Sequence, residues 1–186
     1  MKRRTRLWTG LLGSLLALCA GLASGENATS REYQIKAAFL YNFAKFVEWP
    51  AHAFKEARPT MTLCVLGDDP FGTALDQTVD GKTVAGKKMV VARFEGLQNL
   101  AACHLLFISS SERNRLAKTL DAVTGSNVLT IGDTERFAHQ GVMINFYVEE
   151  NKVRFEINQH AAELAGLKIS SKLLNLATIV HGTSGK

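Results

Sequence analysis

The feature that most constrains this 186-residue chain is an alternation of short apolar runs with helix-patterned segments. Residues 61–66 (MTLCVL) form one run, closed by Gly67-Asp68-Asp69-Pro70, the pattern of a buried strand running into a turn. Residues 88–94 (KMVVARF), 104–108 (HLLFI) and 128–131 repeat that pattern, each bounded by polar or small residues. Between them, residues 71–77 can close a short helix, and residues 112–123 place Leu116, Leu120 and Val123 on one helical face. Later, residues 142–148 and 153–157 flank Glu149-Glu150-Asn151-Lys152, which predicts a β-hairpin with a four-residue loop. The end reads as helical over residues 159–165 and 170–179, with a break at Gly166. Strands alternating with helices predict a three-layer α/β domain. Its sheet is mostly parallel, with five to six strands, helices on both faces and the late antiparallel hairpin at one edge.

Before these elements, residues 31–47 predict a helix whose apolar face carries Ile35, Phe39, Leu40, Phe43, Phe46 and Val47. Thr29 followed by Glu32 is a capping-box pattern, and Pro50 ends the element. Upstream, Lys2, Arg3, Arg4 and Arg6 precede an apolar run from Leu7 to Ala20, with small residues at Ala23, Ser24 and Gly25. That run is shorter than the roughly 18 to 20 residues a membrane-spanning helix needs. It reads as a secretory signal peptide over residues 1–25, cleaved to leave an exported domain over residues 26–186. The leader also accounts for the basic charge. Of 22 Lys+Arg it holds four, and no acid, leaving 18 against 17 Asp+Glu. A near-neutral domain gives no electrostatic case for a nucleic-acid partner. With Cys19 removed, Cys64 and Cys103 remain, and an even pair in an oxidising compartment reads as a disulfide. Two separate buried thiols are the alternative.

Few residues suggest chemistry. Asp68, Asp69 and Asp133 fall just past strand ends, where open α/β sheets bind ligands and where clustered acids hold Mg²⁺. Turn and cap chemistry explains the same residues. The five histidines show no metal-ligand spacing, no serine lies in a Gly-x-Ser-x-Gly elbow, and there is no C-x-x-C. His104 opens an apolar strand and reads as packed, while Ser109 to Ser111 read as caps of the next helix. The expectation is a protein with no catalytic residues, metal or cofactor. Lys36 stands out, because it falls within the apolar arc of the first helix. It either snorkels, enters a buried ion pair, or meets a partner. In the 153–157 strand, Phe155 and Ile157 share one face, Glu156 and Asn158 the other. Glu156 can pair with a partner, or with Arg154 or Lys168. Leu173, Leu174 and Leu176 read as core.

Residues 33–50 (YQIKAAFLYNFAKFVEWP), 64–72, 141–146 (GVMINF) and 153–177 (VRFEINQHAAELAGLKISSKLLNLA), in this order and spacing, resemble the YfiR family of periplasmic regulators. The resemblance implies a dimeric periplasmic repressor. Its partner would be the periplasmic region of an inner-membrane, YfiN-like diguanylate cyclase, whose inhibition limits cyclic di-GMP and biofilm formation. An outer-membrane, YfiB-like lipoprotein would sequester it under stress. Cys64 and Cys103 match one family disulfide. A second pair has no counterpart, with Ala138 and Asn145 near where its cysteines would be expected. Candidate partner-binding residues are Lys36, Phe155, Glu156, Asn158 and Lys168. The alternative reading is a small-molecule sensor binding near Asp68, Asp133 and Ser109 in the service of another membrane signalling protein.

Overall fold

The computed structural model describes residues 22–54 and 60–182. The leader expected over residues 1–25 therefore lies, but for its last four residues, outside the described residues. Helix α1 (Leu22–Phe46) begins earlier than the expected start near residue 31. No proline interrupts residues 22–46, so nothing in the sequence forces a later start. No helix among the described residues is long and apolar enough to cross a membrane.

After α1 come β1 (Val47–Glu48), β2 (Thr60–Leu66), α2 (Thr73–Val79), β3 (Thr83–Val84), β4 (Lys87–Phe94) and β5 (Leu105–Ile108). Then follow α3 (Leu116–Val123), β6 (Leu129–Gly132), β7 (Ile144–Glu149), β8 (Lys152–Ile157), α4 (Gln159–Leu164), β9 (Lys168–Ile169), α5 (Ser171–Leu174) and β10 (Thr178–Ile179). Among the described residues, eight strands form one sheet in the order β10-β8-β7-β6-β5-β2-β4-β3, and β1 pairs with β9 apart from it. Strands β4, β2, β5, β6 and β7 are mutually parallel, and β7–β8 is the antiparallel hairpin. The sheet exceeds the expected five to six strands because the two-residue strands β3 and β10 extend its edges. Such short pairings carry no periodicity to read.

Alternating side chains divide the core into two layers. On one face Met61, Leu63, Val65, Leu105, Phe107 and Ile131 meet α1, α2, α4 and α5. Phe43 lies 5.5 Å from Phe146 and 5.1 Å from Phe155 between ring centroids, so the first helix and the late hairpin share one aromatic cluster. On the other face Cys64, Leu66, Leu106 and Ile108 meet Leu116 and Val123 of α3, with Phe137 beside them. Cys64 and Cys103 form a disulfide that ties central β2 to the chain entering β5.

Three local readings change. The hairpin turn contains two residues, not four: Glu150 (φ 49°) and Asn151 (φ 58°) are both left-handed, the type I′ geometry that matches strand twist. The helix expected over 112–123 opens as a 3₁₀ turn over Ser110–Arg115 before α3. The helix expected over 170–179 stops after one turn, capped by Ser170, and the β-branched Thr178 and Ile179 pair with β8 as β10. That leaves Leu173 buried but Leu176 72% exposed, so Leu176 is not core.

The disulfide closes a 39-residue loop, which on chain entropy stabilises the fold by about 4 kcal/mol. Urea unfolding of the Cys64→Ala/Cys103→Ala variant should show a loss of about 2 to 4 kcal/mol with the fold retained at low denaturant.

Candidate functional site

Parallel strands β2, β4, β5 and β6 present their carboxyl ends together. The chain leaves β2 for β4 on one side, then crosses back to β5 and β6 on the other. The end of β2 is thus a topological switch point, where α/β sheets leave a crevice. Here the loops after β2 and β5 meet. Gly67 adopts φ +84°, and a Cβ there would clash with Ser111 Oγ, so glycine allows the loops this close. The Asp68 N–H donates to Ser111 Oγ at 3.0 Å. Ser111 therefore makes the bridge, while Ser109 is buried and donates its backbone N–H to Leu66 O.

Of the three strand-end carboxylates, Asp68 and Asp69 line this crevice and Asp133 does not. Asp69 accepts from Arg93 Nε at 2.7 Å, and the same guanidinium donates to Asp76 at 2.6 Å and to Gly72 O at 3.0 Å. The bond from Arg93 lowers the Asp76 pKa, and the bonds to Asp76 and Asp69 raise that of Arg93. Among the described residues no three His, Cys, Asp or Glu side chains are placed to hold a metal ion, so Asp68, Asp69 and Asp133 do not form the acidic cluster that Mg²⁺ would need. Glu112 is buried on the crevice floor, with Oε1 bonded to Arg115 at 2.6 Å. The sequence reading missed Arg93, Glu112 and Arg115. An arginine inside the apolar run MVVARF was the available signal for the first. His104 is buried, its Nδ1 accepting the Thr62 N–H at 3.1 Å.

Asp133 instead joins β6 to α1. Lys36 Nζ lies 2.8 Å from Asp133 Oδ2 and 2.6 Å from Glu32 Oε1, and the Tyr33 hydroxyl donates to the same Asp133 oxygen at 2.8 Å. The Lys36 and Asp133 side chains are only 4% and 5% exposed. Lys36 therefore neither snorkels nor stands at the surface: a buried anion at the end of β6 compensates it. Burial first, then the Asp133 charge and hydrogen bond, raise the Tyr33 pKa well above its ordinary 10.0.

The other expected partner-binding residues separate. Phe155 is buried in the aromatic cluster with Phe39 and Phe43. Asn158 is buried as the cap of α4, with Oδ1 accepting from Ala161 N at 3.0 Å and Nδ2 donating to Ala138 O at 2.9 Å. Both side chains are occupied inside the chain. Glu156 is half-buried beside Asn145 of β7, and neither Glu156 Oε2 nor Asn145 Oδ1 has a hydrogen-bond partner among the described residues. Arg154, the neighbour considered for Glu156, pairs with Glu149 at 2.8 Å. Lys168 is exposed on β9.

With this geometry in place, comparison with protein families matches residues 33–178 to the YfiR/HmsC-like description. The chain belongs to the YfiR/HmsC-like family. The match runs from Tyr33, within α1, through the first residue of β10, so the aromatic cluster, the disulfide and the strand-end crevice all fall within the family region. At family level, this YfiR/HmsC-like membership supports a periplasmic regulator of cyclic di-GMP signalling, in a regulatory and non-catalytic family. No curated protein matches the chain.

Two outcomes follow from the Lys36 cluster. Lys36→Ala leaves Asp133 buried without its cation and should cost about 3 kcal/mol in urea unfolding. Arg154→Ala breaks a pair whose side chains are 45% and 56% exposed and should cost less than about 1 kcal/mol. The second outcome concerns pH. The folded chain holds the Tyr33 proton more tightly than the unfolded chain, so this stabilisation is intact below the ordinary value of 10.0 and declines as pH rises above it. Unfolding free energies measured across that window should fall less steeply in Tyr33→Phe.

Proposed function

We propose that this protein is a periplasmic repressor that binds the periplasmic region of an inner-membrane, YfiN-like diguanylate cyclase and so limits cyclic di-GMP and biofilm formation. The observation that carries this reading is the family match over residues 33–178. A contact mechanism also suits the surface. Strand β10 ends the sheet with Thr178 and Ile179 exposed, and Leu176 beside it is 72% exposed. Among the described residues this edge of the sheet has no further strand, and an edge bordered by apolar side chains is a template for another chain. On this reading the partner adds along β10, with Glu156, which pairs with Thr178, as the polar candidate there and Lys168 on β9 as a candidate apart from that edge. Homodimer formation and sequestration by an outer-membrane, YfiB-like lipoprotein belong to the same proposal.

The test is in-vivo periplasmic cross-linking of the tagged protein followed by mass spectrometry, with cyclic di-GMP measured in a deletion strain. Recovery of a membrane diguanylate cyclase and a rise in cyclic di-GMP are expected. Ile179→Asp/Leu176→Asp should reduce that recovery while leaving the unfolding midpoint nearly unchanged. An unaltered cyclic di-GMP level, with no membrane protein recovered by a functional tagged copy, would overturn the proposal.

A further inference from the structure

We infer that the crevice at the carboxyl ends of β2, β4 and β5 is a binding site for a small organic cation, an amine or guanidinium compound with a short apolar body. It is about 640 Å³ and opens where the chain reverses direction across the sheet, between the loops after β2 and β5. Its lining sorts into spent and unspent groups. Arg93 is spent on Asp69, Asp76 and Gly72 O. Arg115 donates through Nη2 to Glu112 Oε1, so its charge is paired within the crevice. Carboxylate acceptors remain in excess. Among the described residues, Asp68 and Glu95 carry no ion pair, and Glu112 Oε2 is buried with no hydrogen-bond partner.

Glu112 carries the argument. Its side chain is 2% exposed, and a buried carboxylate oxygen without a donor is destabilising unless something donates to it. The protein holds it there. A side chain at Gly67 would meet Glu112 Cγ at 3.0 Å and Oε1 at 3.1 Å, so glycine at the end of β2 is what admits the carboxylate beneath the loop. Four carboxylates, Asp68, Asp69, Glu95 and Glu112, line the crevice against two arginines, so its formal charge is negative. An anionic ligand would be repelled, whereas an ammonium or guanidinium group supplies the missing N–H donors as charge-assisted bonds. Phe94 also lines the crevice and offers an apolar surface for the ligand's carbon chain. A bare metal ion fits less well, because the space far exceeds an ion and the carboxylates are not grouped to coordinate one. The inference does not depend on the identity of the membrane partner.

The test is calorimetric titration and thermal unfolding of the disulfide-bonded protein, purified from the periplasm, with putrescine and with L-arginine. 1,4-Butanediol serves as the neutral isostere, and CaCl₂ and MgCl₂ as ion controls at matched ionic strength. Saturable binding of at least one organic cation, a rise in the unfolding midpoint and no response to butanediol are expected. Glu112→Gln should weaken binding roughly tenfold or more, as loss of a charge-assisted bond requires. Asp68 is exposed, so Asp68→Asn should keep the fold and still weaken binding; it decides the matter if Glu112→Gln does not fold. Absence of saturable binding, equal binding by both variants, or a response to the metal ions alone would each overturn the assignment.

Discussion

Strand β2 is hydrogen-bonded on both sides, to β4 along all seven residues and to β5 along its last four. Both of its faces are covered, so Met61, Leu63 and Val65 face one layer while Cys64 and Leu66 face the other. Much else depends on this placement. The disulfide is anchored at its centre, and the crevice opens at its carboxyl end because the chain leaves it in one direction and returns on the other side. A parallel strand needs partners delivered by crossovers: α2 lies in the one that leads to β4, and the 3₁₀ turn Leu100–Ala102 in the one that leads on to β5.

Polar groups then fix what apolar packing leaves loose. The aromatic cluster of Phe39, Phe43, Phe146 and Phe155 holds α1 against the sheet, but rings alone tolerate sliding. The Lys36–Asp133 pair and the Tyr33 hydroxyl bond allow one position of the helix, since any shift would strand a buried charge. At the crevice the Arg93 clamp does the same for the loop after β2, tying Asp69 and Asp76 to β4.

The α/β class was legible because residues 61–66, 104–108 and 128–131 are buried on both faces and so read as unbroken apolar runs. The amphipathic face of α1 was legible for the matching reason: half of it meets the core. What escaped depends on long-range partners. Nothing local to Thr178 and Ile179 marks them as an edge strand, because their pairing residues are Glu156 and Ile157. The two left-handed residues of the hairpin were hidden because Glu150 lacks the Asn-Gly signature of such turns. At the site, Asp68 and Asp69 could be placed at a strand end from sequence. Glu112 could not, since its burial is created by the approach of a loop 45 residues earlier, at Gly67. Lys36 could be seen to be anomalous, but its resolution lay 97 residues away.

That separation also orders the birth of the fold. The helix made early in synthesis finds its charge partner 97 residues later, and its aromatic partners Phe146 and Phe155 later still. Until β6 to β8 exist, the rings of α1 lack Phe146 and Phe155, and Lys36 has only Glu32 of its own helix and not the buried Asp133. Docking of α1 is therefore a late event of high sequence separation, and a growing chain cannot complete it early. A chain organised this way stays unfinished, and threadable, until its last third has been made.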